Sequence, residues 1–145
     1  MDFLLIPKRP PHERSKMEHE GLTEKIIGCA YRVYNKMGFG FLESVYEKCL
    51  MIELTKMGLF AESQVPIHVE YEGESVGEFV ADMIVEDLVI LELKSVRSIV
   101  RAHEIQLVNY LTATRKEIGL ILNFSEEKVE VKRKIRDLKQ FDQQD

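Results

Sequence analysis

Residues Phe79–Lys94, FVADMIVEDLVILELK, restrict the fold more than any other stretch of the chain. Two runs rich in β-branched and aliphatic residues flank a polar break at Glu86-Asp87, the signature of a β-hairpin. The strands are apolar enough to be buried, yet they carry Asp82, Glu92 and Lys94. Buried charge is expensive unless it is paired or holds a metal. Glu92 and Lys94 are alternate residues, so on a strand they project from one face. A three-residue loop (Glu86, Asp87, Leu88) pairs Val85 with Val89 and sets Asp82 opposite Glu92. A two-residue loop sets Asp82 opposite Leu91 instead, so the register decides whether the acids meet.

Two acids and a lysine on one sheet face suit divalent-metal chemistry. Mg²⁺ prefers carboxylate and water oxygens and docks on phosphate while keeping several waters. A neighbouring ammonium can steer an attacking water and offset charge on a phosphate. The plainer account of the same residues is a pair of solvated strand ends with an ion pair.

The length of 145 residues fits one domain with a sizeable core. No run of about 18 apolar residues is present, so no membrane span is expected. The N-terminal FLLI is too short for a signal-peptide core, and Cys29 and Cys49 sit alone within apolar helical patterns. Neither cysteine has a second ligand at metal spacing, so no zinc site or disulfide is expected and the location reads as cytoplasmic. A net charge of −5 argues against a protein that coats nucleic acid generally. It leaves a nuclease open, because a metal site concentrates carboxylates that the cation then offsets. Lys94, Arg97 and Arg101 form one basic corner that phosphate or plain solvent would suit; Lys132, Arg133, Lys134 and Arg136 read as solvated surface.

Residues 1–19 contain three prolines and no sustained period, and they predict a flexible or partner-packed arm. The domain is expected over 20–136, with a polar tail at 137–145. Thr23 is the expected cap of a first helix whose stripe runs Ile26, Ile27, Ala30, Val33, Tyr34 and Met37. Gly38-Phe39-Gly40 should end it, and Gly58 should end a second helix carrying Leu42, Val45, Tyr46, Cys49, Leu50 and Leu54. Glu62–Tyr71 alternates as a strand, with Pro66 marking an edge and His68 exposed. After Lys94 a helix from about Ile99 to Thr114 places His103, Gln106 and Tyr110 on one face. Tyr110 could be plain packing with a polar tip, and His103 a polar helix residue rather than a base. Lys116–Phe124 reads as a buried strand and Val129–Ile135 as a more exposed one.

The D…ExK set of the hairpin resembles the PD-(D/E)xK nuclease superfamily. Gly40-Phe41-Leu42-Glu43-Ser44-Val45-Tyr46 adds a Gly-x-x-Glu-x-x-Tyr match, similar to the GxxExxY family within that superfamily. LTEKIIG at 22–28, LESVYE at 42–47, QVPI at 64–67, VEDLVILELK at 85–94 and HEIQLVNYL at 103–111 resemble that family in the same order. Phe39 and Phe41 depart from its pattern at the helix junction. The resemblance implies a three-layer α/β core of order α-α-β-β-β-α-β-β, with a mixed sheet flanked by helices. It implies metal binding by Asp82, Glu92, Glu43 and the Leu93 carbonyl, with Lys94 steering water and Gln106 helping to position it. Glu43 has a second reading as a first-turn acid stabilised by the helix dipole by about 0.5 kcal/mol. Glu47, one turn on, reads as a surface acid.

The expected activity is a Mg²⁺-dependent phosphodiester hydrolase, with Mn²⁺ as a substitute ion and nucleic acid, DNA or RNA, as substrate. The alternative is a catalytically silent module of the same fold that dimerises and serves a partner; no separate nucleic-acid reader is visible. A glycoside hydrolase would need a sugar cleft rich in aromatic platforms, and the chain has no tryptophan.

Overall fold

The computed structural model describes residues 16–136, with side chains described from 19. Of the arm expected over 1–19, residues 1–15 lie outside the described residues and 16–19 are helical instead; the tail expected at 137–145 also lies outside them. Eight elements run α1 (Lys16–Met37), α2 (Glu43–Lys56), β1 (Ala61–Tyr71), β2 (Glu74–Val85), β3 (Val89–Lys94), α3 (Arg101–Thr114), β4 (Ile118–Phe124) and β5 (Val129–Ile135). This is the expected order.

The strands form one sheet in the order β1-β2-β3-β4-β5. Every neighbouring pair is antiparallel except β3 and β4, which are parallel and joined through α3. A parallel step needs a crossover, and α3 supplies it on one face of the sheet. The opposite face is covered by α1 and α2, so the domain has three layers.

Each face has its own core. Ile26, Val33, Tyr46 and Leu50 pack with Met83, Leu91, Leu93, Leu120 and Leu122 under α1 and α2. Ile67, Ala81, Ile84, Ile90 and Ile121 pack with Leu107, Tyr110 and Leu111 of α3. β4 is covered on both faces and is buried throughout. That is why its sequence, IGLILNF, is continuously apolar instead of alternating. Gly119 is required there, because a Cβ would stand 2.7 Å from Leu107 Cδ1.

One expectation is corrected at α1. Thr23 is not its cap: the helix opens at Lys16, so Thr23 is interior. The polar residues before the apolar stripe are good helix formers and extend the helix without contributing to the periodic signal. Thr23 Oγ1 donates back to the Glu20 carbonyl at 2.9 Å and accepts from Arg133 of β5.

The β2–β3 connection is the three-residue turn Glu86-Asp87-Leu88, and the register is Val85↔Val89, Ile84↔Ile90 and Met83↔Leu91. Glu86 and Asp87 both adopt left-handed backbone, φ 53° and 56°. Such conformations are uncommon outside glycine, and here distant groups hold them. Glu86 accepts the Phe60 N–H at 2.7 Å and donates its own N–H to the Phe60 carbonyl at 2.7 Å. The Lys116 ammonium donates to the carboxylate and the carbonyl of Asp87, both at 2.9 Å.

Candidate active site

β3 alternates with Leu91 and Leu93 under α1–α2 and Ile90 under α3, so Glu92 and Lys94 belong to the α3 face. Glu92 is 5% exposed and Lys94 half-buried. The pairing of β2 with β3 stops at Met83↔Leu91. Continued by one residue, the same register sets Asp82 against Glu92, as the three-residue loop requires.

The ladder ends there because both β1 and β2 change face. Met83 and Val85 pack under α1–α2, whereas Ala81, also an odd position, packs under α3. Across from it, Ala61 packs under α1–α2 but Val65 and Ile67 under α3. The step in β1 falls at Gln64, whose φ is 55°. Gln64 and Asp82, which the register would oppose, are absent from the β1–β2 pairs on either side of them. Glu47 of α2 braces the kink: its carboxylate accepts Ser63 Oγ at 2.6 Å and Gln64 Nε2 at 3.0 Å.

At this break the Asp82 carboxylate turns toward β3. Its Oδ2 accepts the Leu93 N–H at 2.8 Å, and the Asp82 N–H donates to Glu92 Oε2 at 3.4 Å. The two carboxyl groups therefore meet in a poorly solvated place. Burial, then hydrogen bonding to Asp82 and its negative charge, push the Glu92 carboxyl up to about 9, and the Lys94 ammonium offsets only part of this. Tyr110 of α3 feels the same pair. Its phenol is raised first by burial, then by the charges of Glu92 and Asp82.

Glu43 occupies the first turn of α2 and is exposed. The junction before it is fixed by Tyr46, whose hydroxyl donates to the Gly38 carbonyl at 2.6 Å and accepts from Phe41 N at 3.4 Å. The Tyr46 ring lies flat on Phe124, centroids 4.2 Å apart. Ser95, directly after β3, donates Oγ to the Phe41 carbonyl at 2.8 Å. The start of α2 is thus tied to the C-terminal end of β3, where Lys94 stands. Among the described residues, no three His, Cys, Asp or Glu side chains are grouped closely enough to hold a metal ion. Asp82 and Glu92 come together; Glu43 does not complete a triad with them.

Gln106 is exposed on α3, one turn before Tyr110. His103 is used locally: its Nδ1 accepts the Val100 N–H at 3.2 Å at the start of the helix. His68 is exposed and lies 3.2 Å from Glu78. Cys29 and Cys49 are free thiols.

Two further residues escaped sequence reading. Asn123 of β4, register partner of Lys94, is fully buried. Its Oδ1 accepts the Val96 N–H at 2.9 Å and its Nδ2 donates to the Val96 carbonyl at 2.9 Å. Glu130 of β5 accepts from Asn123 Nδ2 at 3.2 Å and from the Ile99 N–H at 2.9 Å. Together they clamp the segment that leaves Lys94 and enters α3. A lone polar residue in a run as apolar as GLILNF was the available signal, since a buried amide requires partners.

An all-oxygen donor pair, with like charges held so close that one carboxyl keeps its proton, matches what a hard divalent cation prefers. No helix among the described residues is long and apolar enough to cross a membrane. The sequence has no match among curated proteins. The fold is similar to the crystal structure of SSO0001, with a TM-score of 0.54 and 18% identity over 84% of this chain. The likeness covers 62% of that protein's chain. The model of the PD-(D/E)XK nuclease superfamily matches residues 20–134, and with that match spanning nearly the whole described domain the chain belongs to this superfamily.

Proposed function

We propose that the protein is a Mg²⁺-dependent nuclease, with Mn²⁺ able to substitute, that hydrolyses phosphodiester bonds in nucleic acid. The observation that carries the reading is the meeting of Asp82 with Glu92 at the broken ladder, on the strand that also bears Lys94. The ordered motifs from LTEKIIG to HEIQLVNYL support a place in the GxxExxY group.

Asp82 and Glu92 would hold the ion. In an antiparallel strand the carbonyl of a residue points to the same side as its N–H. The Leu93 N–H is taken by Asp82, so the Leu93 carbonyl is the third oxygen on that side. Glu43, at the tethered start of α2, would reach the ion through water or hold a second ion. When bound, the cation supplies Lewis acidity and lowers the pKa of a coordinated water.

The chain's own groups do the rest. Lys94 orients the attacking water and offsets charge developing on the phosphate. The Gln106 amide can donate to a phosphate oxygen or accept from the water. The water oxygen bonds to phosphorus, the ester P–O bond breaks, and the departing oxygen leaves with a proton. The carboxyl of Glu92, protonated in the metal-free protein, must give that proton up before it can serve as a ligand.

The lack of a third grouped carboxylate among the described residues favours one competing reading, a silent module of this fold that can dimerise. A nuclease assay with Mg²⁺ or Mn²⁺ on DNA and RNA separates the two. The hydrolase reading requires wild-type activity well above that of Lys94→Ala; equal rates would reject it.

A further inference from the structure

A groove of about 1120 Å³ lies between the β1–β2 hairpin and α3. Phe79 and Tyr110 line its inner end, ring centroids 5.9 Å apart and tilted by 42°. Tyr110 is buried and packs with Ala81, the neighbour of Asp82, so this end of the groove adjoins the candidate site. Phe79 is 47% exposed, and it precedes Asp82 by less than one strand's half-length. The opposite wall presents the exposed amides of Gln106 and Asn109, which share one face of α3. Glu70, Glu72, His68 and Arg115 also line the groove.

We infer that this groove is a subsite for an unpaired nucleobase, which makes single-stranded nucleic acid the substrate class. The inference rests on the nuclease reading for the phosphodiester that is cut. Charge decides against a duplex. Duplex binding draws its affinity from cations that neutralise many phosphates. This chain carries a net charge of −5, and the groove is lined by Glu70 and Glu72 against one arginine, Arg115, and His68. That lining lacks the row of cations that a second phosphate backbone would need. A base is neutral, offers a flat π-face to Phe79, and has donor and acceptor edges that two amides can satisfy. Stacking on exposed aromatic rings is the general way proteins hold single strands without reading sequence.

The test is fluorescence anisotropy of a short labelled oligothymidylate, measured in EDTA so that no strand is cut. The wild-type protein should bind the single strand more tightly than the same strand paired with its complement. Phe79→Ala should weaken single-strand binding by about 5- to 150-fold, the equivalent of about 1–3 kcal/mol of stacking, while Phe79→Tyr retains it. Gln106→Ala with Asn109→Ala gives a second, wholly surface-borne variant that should also weaken it. Equal affinity for single strand and duplex, or unchanged binding by both variants, overturns the inference. The two readings fail separately: strand binding sensitive to Phe79 without any cleavage upholds the subsite and removes the hydrolase. Cleavage indifferent to Phe79 does the reverse.

Discussion

The carboxylate of Asp82 accepts the backbone N–H of Leu93 at 2.8 Å, a bond that a continued β-ladder would have given to a main-chain carbonyl. Where β1 and β2 change face and the pairing of β2 with β3 stops, this side chain takes over the bond and brings two acids together. Asp82→Asn keeps an acceptor oxygen but removes the charge. It should leave the thermal midpoint nearly unchanged and weaken Mn²⁺ binding by more than about 100-fold, measured by calorimetry. Equal Mn²⁺ affinity in the two proteins would remove Asp82 from the ion's surroundings.

Glu92 gives the metal-free protein a pH signature. Its carboxyl holds its proton to about 9 in the folded state and to the ordinary 4.5 when unfolded. Between those values the folded chain binds more protons, so stability falls as pH rises. The contribution is complete below 4.5 and lost as pH climbs through 9. Thermal midpoints in EDTA should therefore decline across this window, and Glu92→Gln should flatten the decline. Parallel curves for the two proteins would contradict the burial argument.

The proposed role of Lys94 predicts an effect on rate rather than on folding. The residue is half-buried and its register partner is Asn123. Lys94→Ala should lower the hydrolysis rate by about 10²–10⁴-fold, the range for a positioned proton-handling group. Far-ultraviolet circular dichroism should be unchanged, and its loss would recast the lysine as structural.

Asn123 holds the segment after Lys94 by two bonds to Val96. Asn123→Ala strands the Val96 N–H beside a buried strand, costing about 1–3 kcal/mol in urea unfolding. Because the clamp also sets where α3 begins, kcat should fall further than KM rises. A stability loss with unaltered kcat would confine Asn123 to packing.

Tyr46→Phe tests the junction ahead of Glu43. It preserves the stack on Phe124 but deletes the bond to the Gly38 carbonyl. A cost of about 1 kcal/mol in urea unfolding is expected, and no change would show the hydroxyl to be incidental.

Much of this architecture could be read from residue patterns, because strands and helices carry local periodicities. The hairpin, the order of elements and the buried strand IGLILNF all follow from alternation, runs and glycine stops. The pairing Val85↔Val89 is one of the two registers the sequence allows, the one set by a three-residue loop. What stayed hidden depends on distant partners. Thr23 looks like a cap because the apolar stripe starts beside it, yet its hydroxyl meets Arg133 across the sheet. The change of face at Gln64 and Asp82 breaks the very alternation by which strands are recognised. Glu47 looked like a surface acid, and only the folded chain brings Ser63 and Gln64 to it. Lys132, Arg133, Lys134 and Arg136 read as solvated surface; of these, Lys134 pairs with Glu104 at 2.7 Å and Arg136 donates to the Arg115 and Lys116 carbonyls.

The turn at Glu86-Asp87 is anchored from Phe60 and from Lys116, both remote in sequence. Aspartate tolerates left-handed backbone better than most residues, but Glu86 before it has no such preference. The hairpin's alignment is therefore held in part from outside it, by the residues that lead into β1 and β4. A synthetic peptide spanning 79–94 would wander among registers, and the two acids would find each other only in the finished domain.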